Sequence, residues 1–354
     1  MKSDTNATLI QEAKQGHTDA VRILLENGAD VHADNDHALI LAAENGHTGT
    51  VELLLDRGAD IHAWYDRALY ISADNGHADT VRLLLDRGAD TRNADGKDLY
   101  MAARAGHADV VELLLDHDID SYDTYDIHRA LHLAAEQGHT GVVESLLDHG
   151  ADIHDENDWA LQFATYYGHT DTVELLLDRG ADIHVQNDCA LRDAAKQGHT
   201  DIVKLLLDRG VDVHADNDCA LRWAAERGRI DTVKLLLDRG ADIHADDDYA
   251  VCCMAAIGKT DMVEYLMGLG ADIHAGEERA LLWAAENGHT DTVEFLLDHG
   301  ADIHAMNDWA LCFAAIFDKT DTVEFLLDRG ADPKALPSRK YRQKYQNKYV
   351  KDIK

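Results

Sequence analysis

The sequence predicts an all-α solenoid, a row of about eleven short helix-turn-helix units. Three observations carry that expectation. A "GAD" glycine or its counterpart returns at Gly28, Gly58, Gly88, Asp118, Gly150, Gly180, Gly210, Gly240, Gly270, Gly300 and Gly330, and only one interval departs from 30 residues. Each interval holds two short apolar stripes at helical spacing. Nearly every stripe ends at a glycine, the residue that enters the left-handed region at least cost.

Residues 36–58, "DHALILAAENGHTGTVELLLDRG", show the pattern in order. Leu39, Ala42 and Ala43 fall at i, i+3, i+4 and make one narrow apolar face. Asp36 is placed to cap that helix and Gly46 to stop it. Thr48 is placed to cap a second helix with Val51, Leu54 and Leu55 on its face, which Gly58 stops. The polar stretch "ADVHADND" before Asp36 predicts a turn, with little backbone pairing between neighbouring units. Alone, such a unit buries too little apolar surface to offset the entropy of ordering about thirty residues. Stacked, each stripe meets the next, and the small alanines let neighbouring helices approach closely.

The ends and one interior unit break the pattern. Gln11 and Glu12 stand where later units carry apolar residue and alanine (Trp223, Ala224), so the first unit reads as an N-terminal cap. The unit near 118–130 has a 32-residue interval and Asp118 in place of the stop glycine. Because Asp tolerates the left-handed region, the turn is expected to survive there, with Tyr122 and Tyr125 on a longer finger. The array is expected over 1–332. After it, Pro333 and Pro337 exclude another ordinary unit, and Ser338 can cap a final helix over 338–353. Residues 333–354 hold eight basic residues and one acidic, with Tyr341, Tyr345 and Tyr349 on one face, and are expected to close the last unit as a basic C-terminal capping helix.

The stretch "RALHLAAEQGHTGVVESLLDHGADIH", residues 129–154, resembles an ankyrin repeat, and the resemblance covers about residues 7–332. It departs from the usual pattern in two ways. Most units have 30 residues and open with Asp-x-Ala-Leu, so the projecting hairpin is expected to be shortened by about three residues. The hairpin base carries histidine, at His32, His62, His154, His184, His214, His244, His274 and His304. Thirty-residue units of this kind resemble those of giant amoeba-infecting DNA viruses. The resemblance implies a non-enzymatic scaffold that binds a protein along a concave groove, some 100 Å long at about 8–10 Å per unit.

Composition narrows the partner. A net charge of −34 repels phosphate backbones and anionic lipid, so no nucleic acid is expected on the array and no membrane beneath it. The sequence holds no secretory leader and no 18-residue apolar stretch, and its five cysteines lack disulfide spacing. A soluble monomer in the cytoplasm is expected, the host cell's if the chain is viral. Of the 22 histidines, most fall in two ladders one repeat apart, too widely spaced to share a zinc ion. They are expected to bond turn backbone. Phosphate loops, nucleophile elbows and H-E-x-x-H motifs are missing from the sequence, and no cofactor, metal or catalysis is expected.

Positions that vary between units are free to serve a ligand. The resemblance places them at the hairpin tip, before the Ala-Leu of the first helix, and at that helix's last two residues. They hold Trp64, Tyr65, Trp159, Tyr166, Tyr167, Arg227, Tyr249, Ile257, Met306, Trp309, Ile316 and Phe317. Aromatics and arginine are the usual interface anchors, so these residues are expected to contact a partner with an apolar centre and a basic rim. Packing between repeats is the alternative, with Ile316 and Phe317 under the C-terminal helix. A second functional reading is an adaptor, in which the basic tail recruits another partner while the repeats select a target.

Overall fold

The computed structural model describes residues 2–91, 97–119, 122–338 and 341–345. Among them are 22 α-helices, one short 3-10 turn and no strand. Contacts group the chain into two compact units, Met1–Asp182 and Ile183–Lys354. The first holds six antiparallel helix pairs, from Lys2–Lys14 with Thr18–Glu26 to Asp155–Tyr167 with Thr170–Asp178. The second holds five, from Val185–Gln197 with Thr200–Asp208 to Ala305–Ile316 with Thr320–Asp328. The expected stripes form the core: Leu39, Ala42 and Ala43 of one helix and Val51 and Leu54 of its mate are fully buried or nearly so.

The connection between pairs is a turn, as the sequence predicts, and it has an unusual form. Residues 34–36, 64–66, 156–158, 186–188, 216–218, 246–248 and 306–308 each make three consecutive left-handed residues, with φ between 48° and 62°. Each such residue costs roughly 1–2 kcal/mol unless it is Gly, or Asn or Asp with a local hydrogen bond. The composition of the turn, commonly x-Asn-Asp, lowers that cost.

The last residue of the turn repays the rest. Asp36 was expected to cap the following helix; it lies at φ 60°, makes no cap hydrogen bond, and is buried. Its carboxylate instead accepts from the Asp60 backbone N–H in the next repeat at 2.8 Å and meets His32 Nδ1 at 3.0 Å. Asp158, Asp218, Asp248 and Asp308 bridge to Asp182, Asp242, Asp272 and Asp332 in the same way. The hairpin-base histidines are therefore the partners of a buried carboxylate brace. Asp36→Ala is expected to cost about 2–3 kcal/mol, from the lost hydrogen bonds and the left-handed alanine. Asp36→Asn, which keeps an acceptor and tolerates the conformation, should cost less in chemical denaturation. Equal losses would refute the brace.

Two more ladders join consecutive repeats. Thr48 was expected to cap the second helix, but His47 occupies the cap position and makes no side-chain cap bond. The Thr48 hydroxyl shares a 2.8 Å hydrogen bond with Thr80, a pattern repeated at Thr18–Thr50, Thr140–Thr172, Thr200–Thr232 and Thr290–Thr322. The turn histidines donate from Nε2 to the carbonyl closing the previous repeat's first helix: His77 to Glu44 at 2.9 Å and His169 to Glu136 at 2.8 Å. Arg229, which replaces histidine, reaches the matching Lys196 carbonyl through Nε at 3.3 Å. The expected hydrogen-bonding role of this ladder thus crosses from one repeat to the next.

The irregular unit solves its missing glycine differently from the expectation. Asp118 does not turn left-handed. The helix Ala108–Asp118 runs on to it, and Ile119 at φ −62° follows, because a right-handed residue costs less than a left-handed Asp. Asp123 then caps Thr124–Gln137, accepting from Asp126 N–H at 2.8 Å. Residues 120–121 of the expected finger lie outside the described residues. Tyr125 is exposed, but Tyr122 is buried and donates to the Asp98 carboxylate at 3.1 Å. Asp98 stands where neighbouring units have Ala38, Ala68 and Ala130, and is itself fully buried. Burial raises its pKa from 3.8 to about 7, against the lowering effect of its bonds to Leu99 N–H and Tyr122.

Candidate protein-binding surface

Ala160, Leu161 and Ala164 turn the buried face of helix Asp155–Tyr167 into its unit, which leaves Trp159, Phe163 and Tyr167, spaced i, i+4, i+8, along another face. Their rings follow one another at centroid separations of 5.3 and 6.5 Å, and Tyr166 meets Tyr167 edge-on at 5.2 Å. Trp159 remains 40 % exposed, and Tyr166 and Tyr167 are also exposed. Behind them, His132 on Thr124–Gln137 sets its ring edge-on to Trp159 at 5.4 Å. Asp155 links two histidines of that helix, with His128 Nδ1 at 2.8 Å and His132 Nε2 at 3.3 Å. Burial is the main cause holding the His132 pKa below its ordinary value, against the pull of Asp155 and Glu156.

In the second unit, Trp309 and Phe313 of Ala305–Ile316 meet edge-on at 5.6 Å, and Ile316 and Phe317 at the helix end are exposed. The alternative of burial under the C-terminal helix fails for these two among the described residues, where each is 49 % exposed. Tyr249 is half-buried and packs at 5.7 Å on Trp283, and burial pushes its hydroxyl pKa up to about 12. Arg227 and Ile257 are exposed at the ends of their helices, and Met306 is half-buried. Trp64 and Tyr65 are the most prominent pair: both are left-handed, and Tyr65 is 80 % exposed. Sequence reasoning passed over the partners Phe163, Trp223, Trp283 and Phe313. Their signal was available, since each lies one helical turn beyond a variable position.

The model of ankyrin repeats (3 copies) matches residues 2–63, 64–125, 99–187, 185–247 and 250–336. The chain belongs to the ankyrin repeat family. Ankyrin repeats are generally modules for protein–protein interaction, so exposed aromatic residues at the variable positions of this ankyrin array have a ready use. No curated protein matches the chain. Among the described residues no helix is long and apolar enough to cross a membrane.

Four of the five free cysteines are buried, and burial raises the Cys252 and Cys253 thiols to about 12, far from a nucleophilic thiolate. Cys312 donates its S–H to the Ala335 carbonyl at 2.9 Å, tying the segment after the last repeat to that repeat's first helix, Ala305–Ile316. That segment continues as a 3-10 turn, Pro333–Ala335, capped by Asp332, with Leu336 buried. Residues 341–345 are helical; Tyr341 is half-buried and Tyr345 only 5 % exposed. Tyr349 lies outside the described residues.

Proposed function

We propose that this ankyrin array is a non-enzymatic, monomeric scaffold that binds another protein through the variable face of its first helices. The single observation carrying this is the outward exposure of aromatic side chains at repeat positions that hold polar residues elsewhere, such as Glu44, Asn45, Asp74 and Asn75. Carboxylates dominate the remaining surface, so the partner has an apolar centre and a basic rim, with charge speeding encounter and the aromatics setting residence time. Free cysteines suit a reducing cytoplasm. Trp159→Ala with Tyr167→Ala should leave the array folded and raise the dissociation rate of a captured partner at least tenfold, or ~1.4 kcal/mol. Added salt should slow association and leave dissociation nearly constant. Unchanged dissociation in the double variant would move the binding face elsewhere.

For the basic tail, we infer a cap in preference to a recruiting arm. Lys344 Nζ donates to Thr320 Oγ1 at 3.2 Å, the hydroxyl that in earlier repeats pairs with the next unit's threonine. Arg342 Nε donates to the Leu336 carbonyl at 3.1 Å, folding the segment back on itself. These contacts stand in for a missing repeat. Deleting 333–354 is expected to lower the unfolding temperature by several degrees, with exchange protection lost first in Thr320–Asp328. Unchanged stability with loss of a bound partner would restore the adaptor reading.

A further inference from the structure

The exposed ridge of the first unit has a counterpart in the second, 150 residues on. Trp159, Phe163, Tyr166 and Tyr167 correspond to Trp309, Phe313, Ile316 and Phe317, the same four positions of a first helix. Most other units put charged or amide residues among these positions, such as Arg67, Asp74 and Asn75 in one and Arg279, Glu286 and Asn287 in another; the one apolar set, Tyr249, Cys253, Ala256 and Ile257, holds a single ring. The likeness extends to burial. In both helices the tryptophan and the last two residues are exposed, while the phenylalanine is half-buried and in ring contact with the tryptophan. Each ridge also has carboxylates at matching places: Glu136 and Glu286 end the preceding first helices, and Asp152 and Asp302 are exposed before the turns.

We propose that these are two equivalent docking sites, so that the array binds the same kind of partner segment twice, a short stretch with an apolar core flanked by lysine or arginine. This rests on the protein-binding reading above. The apolar core answers to the rings, each of which presents a large rigid face at little entropic cost. The flanking cations answer to the shared carboxylates and to the net charge of −34. A partner carrying two such segments on a linker long enough to reach both ridges gains affinity from effective concentration with no new type of contact.

The probe is a random peptide library displayed on phage and selected on the full chain, with the winning peptide synthesised and titrated calorimetrically. Selection should return one consensus with an aromatic or branched aliphatic core between basic residues, and the peptide should bind with a stoichiometry of two. Trp159→Ala/Tyr167→Ala should reduce it to one, Trp309→Ala/Phe317→Ala likewise, and all four together should abolish binding. These side chains are about half exposed and lie off the buried stripe, and a cooperative thermal transition retained in each variant confirms that the array is intact. A stoichiometry of one, lost with a single ridge, overturns the equivalence and leaves the protein-binding reading standing. A consensus without basic residues overturns the assigned partner chemistry. Binding that survives all four substitutions, or no enrichment at all, overturns both.

Discussion

Asp98→Asn should stabilise the protein at pH 8 by about 2–4 kcal/mol, with the gain fading as the pH falls toward 4. The carboxyl is fully buried and its folded pKa, about 7, lies above the unfolded value of 3.8. A raised pKa means that the favourable contribution is complete below pH 4 and is lost as the pH rises through 7. Burial fixes the direction, and the hydrogen bonds from Leu99 N–H and Tyr122 only oppose it. Asp126, on the helix packed against it, adds negative charge, and Tyr122 supplies a neutral hydroxyl whose own pKa burial drives well upward. Asparagine keeps Oδ1 as the acceptor for Leu99 N–H, can donate from Nδ2 to the Tyr122 hydroxyl oxygen, and never ionises. Chemical denaturation across pH 5–9, read with hydrogen exchange in Lys97–Ala105, tests this. Parallel pH profiles for wild type and variant would show that Asp98 is ionised or solvated in the fold.

How much of this was legible beforehand follows from where each signal lies. The helices, their stripes and their glycine stops were readable because periodicity and left-handed glycines are local properties. Asp36 and Thr48 were assigned to the right turns with the wrong partners. A residue just before a helix looks like a cap, yet both side chains bond a neighbouring repeat, at Asp60 and Thr80. In a stacked array the nearest donor can come from the adjacent unit, which local patterning does not reveal. Asp118 failed for a related reason: tolerance of a left-handed turn does not require one when the helix can extend. At the surface, most of the variable positions are exposed as expected, with Tyr249 and Met306 half-buried. Phe163 and Phe313 left a signal in their spacing, one turn beyond a variable position, but how deeply each ring is buried depends on how far its helix rotates that face into the core.

The glycines offer the sharpest test of that stacking, because two kinds that look alike in sequence differ in space. Gly46 and Gly58 both end helices with positive φ, 70° and 90°. A Cβ on Gly58 would meet nothing within 4 Å, whereas one on Gly46 would lie 2.6 Å from Nδ1 of His77 in the next repeat. Gly58→Ala should therefore cost only the left-handed penalty, about 1–2 kcal/mol. Gly46→Ala must also push aside the imidazole that donates to the Glu44 carbonyl, and should cost roughly 3–4 kcal/mol in all. Adding His77→Ala to Gly46→Ala should then cost less than His77→Ala costs alone, since the clash vanishes with the ring. Such a double-mutant cycle measures the coupling between two repeats directly. If the two glycine substitutions cost the same and the cycle is additive, the turn histidine does not sit over Gly46, and the ladder from Lys14 and Glu44 onward is not what holds the repeats in register.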